Sequence, residues 1–232
     1  MKTIFNHLTA LAMIFGIIVG TPFAFAQQDP VDVGFVRIIP VLTVGTRKTH
    51  ILIDGQDIYP SGYDVGQKTG GISLQAGPHS IALQKTGIRS TITSFNVERG
   101  ETLNMIGYAE QVTPKNPTDP PLWKSTLLQL RTSHLESGYC LTLISLCKKN
   151  EIKVQTETLN SHKSQFVEVK KLTTTRVNLG KSKAELAVKI SGAIVIVVSL
   201  EDPGNYGVVI YEDETGAIRA LSFYDSKLAT AG

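Results

Sequence analysis

The chain has 232 residues, of which 23 are basic and 20 are acidic, so its formal net charge is +3 at pH 7. A charge this close to balance gives no general attraction to nucleic acid, and we do not expect a nucleic-acid partner. With 42% hydrophobic residues, a chain of this length can bury one large core or two small ones.

The first 26 residues have the pattern of a secretory signal peptide. Lys2 is a basic start, residues 8–19 are almost entirely apolar, and Ala24 and Ala26 are small residues of the kind that signal peptidase reads. The apolar run is shorter than the ~20 residues that a membrane-spanning helix needs. We therefore expect cleavage after Ala26 and a periplasmic or secreted chain without a membrane span. A retained membrane anchor is the alternative interpretation.

The segment from residue 31 to residue 110 predicts a first domain made of short strands. Asp54-Gly55 stands between β-prone runs, and both residues tolerate positive φ, so a tight hairpin is expected there. Apolar runs of strand length alternate with turn signals through the rest of the segment. The predicted strands are 34–42, 50–53, 71–74, 80–85, 90–97 and 102–108.

Residues 111–122 contain four prolines and are predicted to be a semi-extended linker. A second domain is expected at 123–225, followed by a tail at 226–232. Its predicted strands are 125–130, 140–147, 152–158, 165–169, 193–200 and 206–211, with a short helix as one possibility for 182–190. The fold class is therefore all-β, with two small β-sandwiches in tandem.

Two segments, 73–83 and 199–210, have a similar order of strand, glycine turn and strand. They suggest that the two domains arose by duplication of one module, although such turns are common in β-proteins.

The chain has two cysteines, Cys140 and Cys147, in a segment predicted to be a strand. Their odd spacing puts the two thiols on opposite faces of that strand, too far apart for a disulfide. Two buried, unbridged cysteines are expected, unless the segment is bent.

Residues 51–105 contain Ile53-Asp54-Gly55, then Ala76-Gly77-Pro78-His79, then Gly100-Glu101-Thr102. With these motifs the segment resembles the exported β-sandwich modules called PEGA domains. Residues 35–38, together with the two-domain layout, also resemble the periplasmic accessory protein of alginate O-acetylation and related exported domains. Both resemblances imply small β-sandwiches that bind at the cell envelope, with no catalytic motif to carry over. The residues that carry the PEGA likeness are Ile53, Asp54, Gly55, Leu74, Ala76, Gly77, Pro78, His79, Ile81, Leu83, Lys85, Gly87, Val97, Gly100, Glu101 and Thr102.

No local motif for catalysis, metal binding or cofactor binding is present. The histidines after the signal peptide are isolated in sequence, and no Cys-x-x-Cys or His-x-x-x-His spacing occurs. Residues 212–214 are acidic, but they lack the alternation of a calcium loop. We expect no enzyme activity and no cofactor. A Ser or Asp within hydrogen-bond reach of a histidine, inside a cleft, would favour an enzyme instead.

A basic segment is the one unusual charge feature. Residues 162–189 are rich in cations, whereas residues 201–225 are rich in acids. The basic segment is a candidate contact for an anionic partner, and the alternative is that the two segments neutralise each other across strands. The candidate cations are Lys170, Lys171, Arg176, Lys181 and Lys183.

Three aromatic residues are candidate contacts for a sugar, because an apolar sugar face stacks on an exposed ring. They are Trp123, at the end of the proline-rich segment, and Tyr59 and Tyr63. An anchor between linker and domain is the alternative role for Trp123. Together these features favour an exported, non-catalytic binding or adaptor protein of the bacterial envelope, whose partner is a polysaccharide or an envelope protein. An accessory subunit of exopolysaccharide O-acetylation is the alternative.

Overall fold

The structure, a computed structural model, describes residues 32–114, 116, 118, 120–130 and 138–225. These residues form sixteen β-strands and no helix, so the predicted all-β class is confirmed. In this part of the chain, no helix is long and apolar enough to cross a membrane. The predicted signal peptide and the tail at 226–232 lie outside the described residues.

The first sandwich is built from the first eight strands. They form two four-stranded sheets, in the orders β4-β1-β7-β8 and β3-β2-β5-β6. The strands are β1 (Val33–Val41), β2 (Thr46–Ile53), β3 (Gln56–Asp57), β4 (Ile72–Gln75), β5 (Gly77–Thr86), β6 (Ile92–Val97), β7 (Thr102–Val112) and β8 (Leu122–Leu130).

The second sandwich is built from the next eight strands. Its two sheets have the orders β12-β9-β15-β16 and β11-β10-β13-β14. The strands are β9 (Tyr139–Ser145), β10 (Glu151–Thr158), β11 (Ser164–Lys170), β12 (Thr174–Gly180), β13 (Ala184–Ile190), β14 (Ala193–Leu200), β15 (Gly204–Glu212) and β16 (Ile218–Asp225).

The two sandwiches have the same topology, because each strand of the first corresponds to the strand eight places later in the second. Even the parallel pairs match, since β1 pairs with β7 and β9 pairs with β15. This identity is what a duplicated module predicts. The proposed alignment of residues 73–83 with residues 199–210 is wrong, however: the first segment covers β4 and β5, whereas the second covers β14 and β15, whose counterparts are β6 and β7.

Each sandwich has its own apolar core. On β1, Val36 and Ile38 point into the first core, and on β9 Leu141 and Leu143 point into the second. These positions alternate along the strand, as expected when one face of a sheet packs on a partner sheet.

A third core lies between the sandwiches, where the outer faces of the β1 and β9 sheets meet. Ile39 and Ile106 are register partners in the first sandwich, and Ile144 and Val209 are register partners at equivalent places in the second. The contact is therefore of the self-complementary kind found in symmetric dimers. We call it the interface core; its buried members are Ile39, Val41, Ile106, Leu130, Ile144, Val209 and Phe223.

A polar group closes one end of this interface. The Arg37 guanidinium, 8% exposed, donates through Nη1 to Asn104 Oδ1 at 3.3 Å and to the Tyr224 carbonyl at 3.0 Å. Asn104 is fully buried and donates through Nδ2 to Asp225 Oδ1 at 2.6 Å. Because these bonds run from the first sandwich to β16, they fix how the two sandwiches are oriented.

The expected assignment of residues 123–130 to the second domain is wrong. β8 pairs with β7 along its whole length: Leu130 lies opposite Asn104 at one end, and Leu122 lies opposite Val112 at the other. β8 therefore belongs to the first sandwich. The proline-rich segment therefore connects two neighbouring strands of one sheet. Its prolines could not predict this, because the same composition suits a linker or a connection within a sheet.

Residues 182–190 contain a strand rather than the suggested helix. β13 is rich in residues that favour helices, but it pairs with β10 and with β14 and contributes Leu186 and Val188 to the core. Tertiary pairing overrides the local preference. The predicted Asp54-Gly55 hairpin is confirmed, with φ of 49° and 83° at these residues and Ile53 paired with Gln56.

Both cysteines are buried and free. Cys140 lies on β9, whereas Cys147 follows the strand and packs in the core of the second sandwich. Burial raises the pKa of both thiols, which makes them poor nucleophiles.

Candidate functional site

A cleft opens at the junction of the two sandwiches, beside the interface core. Its volume is about 340 Å³, which is within the size range of ligand sites. The first sandwich contributes Tyr108 and Trp123, and the second contributes Lys171, Leu172 and Glu212. We call this the junction cleft. Since both sandwiches line it, it exists only when they are packed together.

Trp123 is the only tryptophan of the chain. It lies at the start of β8, opposite Gln111 of β7, and its carbonyl accepts a hydrogen bond from the Arg89 amide at 2.8 Å. The side chain is half-buried and packs on the first core. Trp123 therefore has both roles considered from the sequence, as an anchor of its sandwich and as a wall of the cleft.

Tyr108 contributes a second aromatic ring to the cleft. Burial raises the pKa of its phenol, and the neighbouring Glu110 carboxylate adds to the effect. The phenol is therefore a neutral hydrogen-bond donor at physiological pH.

Acidic residues of the β15–β16 hairpin form the opposite rim. Glu212 accepts a hydrogen bond from the Lys148 amide at 3.1 Å, and its carboxylate is 3.7 Å from the Lys148 ammonium. Asp213 accepts hydrogen bonds from the amide and hydroxyl of Thr215, and it forms an ion pair with Arg219 at 2.9 Å. These contacts lower the pKa of Asp213 to about 2. Asp213 is thus a turn-forming residue of this hairpin.

Leu172 has an unusual backbone in the cleft wall. Its φ is 59°, in the left-handed region, which costs a non-glycine residue roughly 1–2 kcal/mol. Its amide donates to the Ser145 carbonyl at 2.9 Å, which holds this conformation. Four other non-glycine residues in the described part of the chain share this conformation, so it shapes the connection after β11 and does not by itself mark a functional site.

The five candidate cations do not form one patch. Lys170 is on β11 and Lys171 follows it at the cleft, whereas Arg176 is on β12 and Lys181 and Lys183 lie beyond the far end of that strand. All five are exposed. Of these, only Lys171 lines the junction cleft, and the role of all five as contacts stays a prediction.

Tyr59 and Tyr63 lie apart from Trp123, in the connection between β3 and β4. Their ring centroids are 5.1 Å apart with an interplanar angle of 53°. Beside them, His50 Nδ1 is 2.8 Å from Asp57 Oδ2. The sequence singled out both tyrosines but not this pair, because His50 and Asp57 meet only when β2 pairs with β3.

A second histidine–aspartate pair lies on the same sheet. His79 Nδ1 is 2.7 Å from Asp54 Oδ2, and the Ser80 hydroxyl donates to Asp54 Oδ1 at 3.2 Å. The carboxylate lies between Ser and His, whereas nucleophilic catalysis needs the imidazole in that position. The pair does not line the junction cleft. The hydrogen-bond distance set as a condition for an enzyme is met at His79, whereas the order of the three groups is not that of a catalytic triad.

A scan against protein-family models gives no match, and a search of curated proteins finds no significant relative. The likeness to PEGA domains and to the alginate accessory protein stays a prediction from the residues that carry it. Within the described residues, no group of three His, Cys, Asp or Glu side chains is arranged to hold a metal ion.

The sequence did not single out Tyr108, Lys148 or Leu172, and it drew attention to Glu212 only as part of the acidic run 212–214. These residues come from separate strands and connections of both sandwiches, and no spacing in the sequence links them.

Proposed function

We propose that this protein is an exported, non-catalytic binding or adaptor protein of the bacterial cell envelope, and that it holds its partner at the junction cleft. The observation that carries the proposal is the cleft itself, which joins an aromatic wall on one sandwich to charged side chains on the other. Ligand sites commonly combine apolar walls with a few polar groups in this way, often between domains.

The interface core and the Arg37 bonds hold the two sandwiches in one orientation. A partner in the cleft therefore contacts two pre-oriented surfaces, and little conformational entropy is lost on binding. A rigid shared site of this kind suits an adaptor, which must keep its partner in a set orientation.

The cleft presents aromatic faces and charges of both signs, and these match either a polysaccharide or a segment of an envelope protein. An accessory subunit of exopolysaccharide O-acetylation is the alternative function, and its support is the resemblance of residues 35–38 and of the two-domain layout. It predicts that the partner belongs to a membrane-bound acyl-transfer machine.

Photo-crosslinking in the native cells tests the proposal. Gln111 lines the cleft and is exposed, so a photoreactive residue there should capture a specific envelope component. Lys181 is the matched control, because it is equally exposed but lies outside the cleft.

Capture from position 111 and not from position 181 would support the proposal. Acyltransferase or polysaccharide-export proteins in the product would identify the accessory role, whereas glycan or another envelope protein would identify a simpler binding module. The same products from both positions, or none from position 111, would contradict it.

A further inference from the structure

We propose that the first sandwich carries a binding platform for a pyranose ring, formed by Tyr59, Tyr63 and His50. The two tyrosines lie in the β3–β4 connection and His50 lies on the neighbouring strand β2, outside the junction cleft. The platform is therefore a second site, and its test does not depend on the partner of the cleft.

The connection is the largest difference between two otherwise equivalent sandwiches. Between β3 and β4 it spans residues 58–71, whereas its counterpart between β11 and β12 spans only residues 171–173. Ordered connections longer than about 12 residues are uncommon and are usually functional. A duplicated fold does not need the extra residues, so they call for a separate explanation.

The aromatic surface is pre-formed. Tyr59 is 42% exposed, and its ring is supported at an angle by the ring of Tyr63. The Tyr63 backbone makes two hydrogen bonds to Thr49, at 2.8 and 2.9 Å, and a tight turn is closed by a 2.8 Å bond from the Gly62 amide to the Tyr59 carbonyl. Because the backbone is fixed at both tyrosines, little ordering is needed when a ligand stacks on them.

Polar groups of the kind that bind sugar hydroxyls lie next to the rings. Asp57 Oδ1 accepts from the Tyr59 amide at 3.0 Å, while Oδ2 holds His50 by its Nδ1 atom. This bond orients the imidazole, and the Nε2 atom has no hydrogen-bond partner among the described residues. The His50 side chain is 39% exposed, so the imidazole is accessible to a ligand, and Nε2 is the ring nitrogen that Asp57 leaves unused.

A pyranose ring fits this combination because it has an apolar face for the tyrosine ring and hydroxyls at its edge for the imidazole. The neighbouring Lys48 and Asp64 pair with each other at 3.3 Å. Since these charges offset each other, recognition rests on stacking and hydroxyl contacts, and the ring can belong to a neutral or an acidic sugar.

Calorimetric titration of the purified protein with two defined probes tests the inference. The probes are a neutral β-1,4-linked hexose hexamer and a hexuronate hexamer of the same length. At least one should bind, and Tyr59→Ala should weaken that binding by about three- to tenfold, as loss of an aromatic contact predicts. Tyr59→Phe should retain it, because the ring is kept.

Phe166→Ala is the matched control, since Phe166 is 60% exposed but lies on the outer face of the second sandwich. It should leave the affinity unchanged. Binding of the neutral hexamer alone would indicate a neutral polysaccharide as the source of the ring, and binding of the hexuronate alone would indicate an acidic one. The inference is overturned if neither hexamer binds, or if Tyr59→Ala binds as tightly as Phe166→Ala.

Discussion

The two sandwiches share one strand order, but they use equivalent positions differently at the face where they meet. In the first, the register partners Arg37 and Asn104 are large and polar; in the second, the equivalent partners are Thr142 and Gly207. An added Cβ at Gly207 would lie 2.1 Å from the Phe223 ring, so only glycine fits there. The apolar centre of the interface is therefore symmetric, whereas at its polar end the two sandwiches have different residues at equivalent positions.

The largest expected effect comes from truncating the apolar centre on either side. Phe223→Ala should lower the free energy of unfolding by about 3–5 kcal/mol and Leu130→Ala by about 2–5 kcal/mol, because both leave cavities in the interface core. Urea unfolding of each variant should show one transition at lower denaturant. Two transitions, with only one of them displaced, would mean that the sandwiches unfold independently.

Removing the asymmetric polar group should have a smaller effect. Arg37→Met keeps an apolar stem but loses the hydrogen bonds to Asn104 and to the Tyr224 carbonyl, and we expect a loss of about 1.5–3 kcal/mol. Arg99→Met is the control, because Arg99 is exposed and its ion pair within the described residues is a 3.9 Å contact with Asp32. Equal stability of the two variants, measured by urea unfolding, would show that the Arg37 bonds do not fix the interface.

The smallest expected effect concerns the pair of Asp54 and His79, which is found only in the first sandwich. Hydrogen bonds to Asp54 and to the Gln75 carbonyl raise the pKa of His79 above 6.5, and the bonds from His79 and Ser80 lower the pKa of Asp54 below 3.8. The stabilisation that protonated His79 contributes to the folded state is complete below pH 6.5, and it is lost as the pH rises through the raised pKa of His79. The stabilisation from Asp54 is lost as pH falls through its lowered pKa.

Asp54→Asn should therefore reduce the free energy of unfolding by less than about 1 kcal/mol. The accompanying fall in Tm should be largest between about pH 4 and 6.5. Thermal unfolding across pH measures the difference from the unaltered protein. Asp64→Asn is the control, because its partner is Lys48, and it should show no such dependence around neutral pH. A difference that does not change with pH would contradict a charged pair at His79.

Local patterns in the sequence were enough for the fold class and for most strands. The Asp54-Gly55 hairpin was predictable because both residues accept positive φ, and β14 was predictable from its unbroken β-branched run. β13 was not, because its helix-favouring residues become a strand only through pairing with distant β10. The sheet of β8 was hidden for the same reason, since only its hydrogen bonds to β7 place it in the first sandwich.

The candidate sites were predictable only in part. Trp123, Tyr59 and Tyr63 stand out in a chain with few aromatic residues, and Lys171 lies in a basic segment. The grouping of Trp123 with Lys171 depends on packing between two sandwiches, and the pairing of His50 with Asp57 depends on a hairpin. The spacing of these residues in the sequence does not indicate that either pair lies close together in the fold.

The most direct test of a binding site at the junction is the emission of Trp123 while the component captured from position 111 is added to the purified protein. Because Trp123 is the only tryptophan and lines the cleft, a saturable shift in its emission is predicted, and Lys171→Glu should weaken it while Lys181→Glu leaves it unchanged. Binding without any change in Trp123 emission, or equal binding by both lysine variants, would contradict a site at the junction cleft.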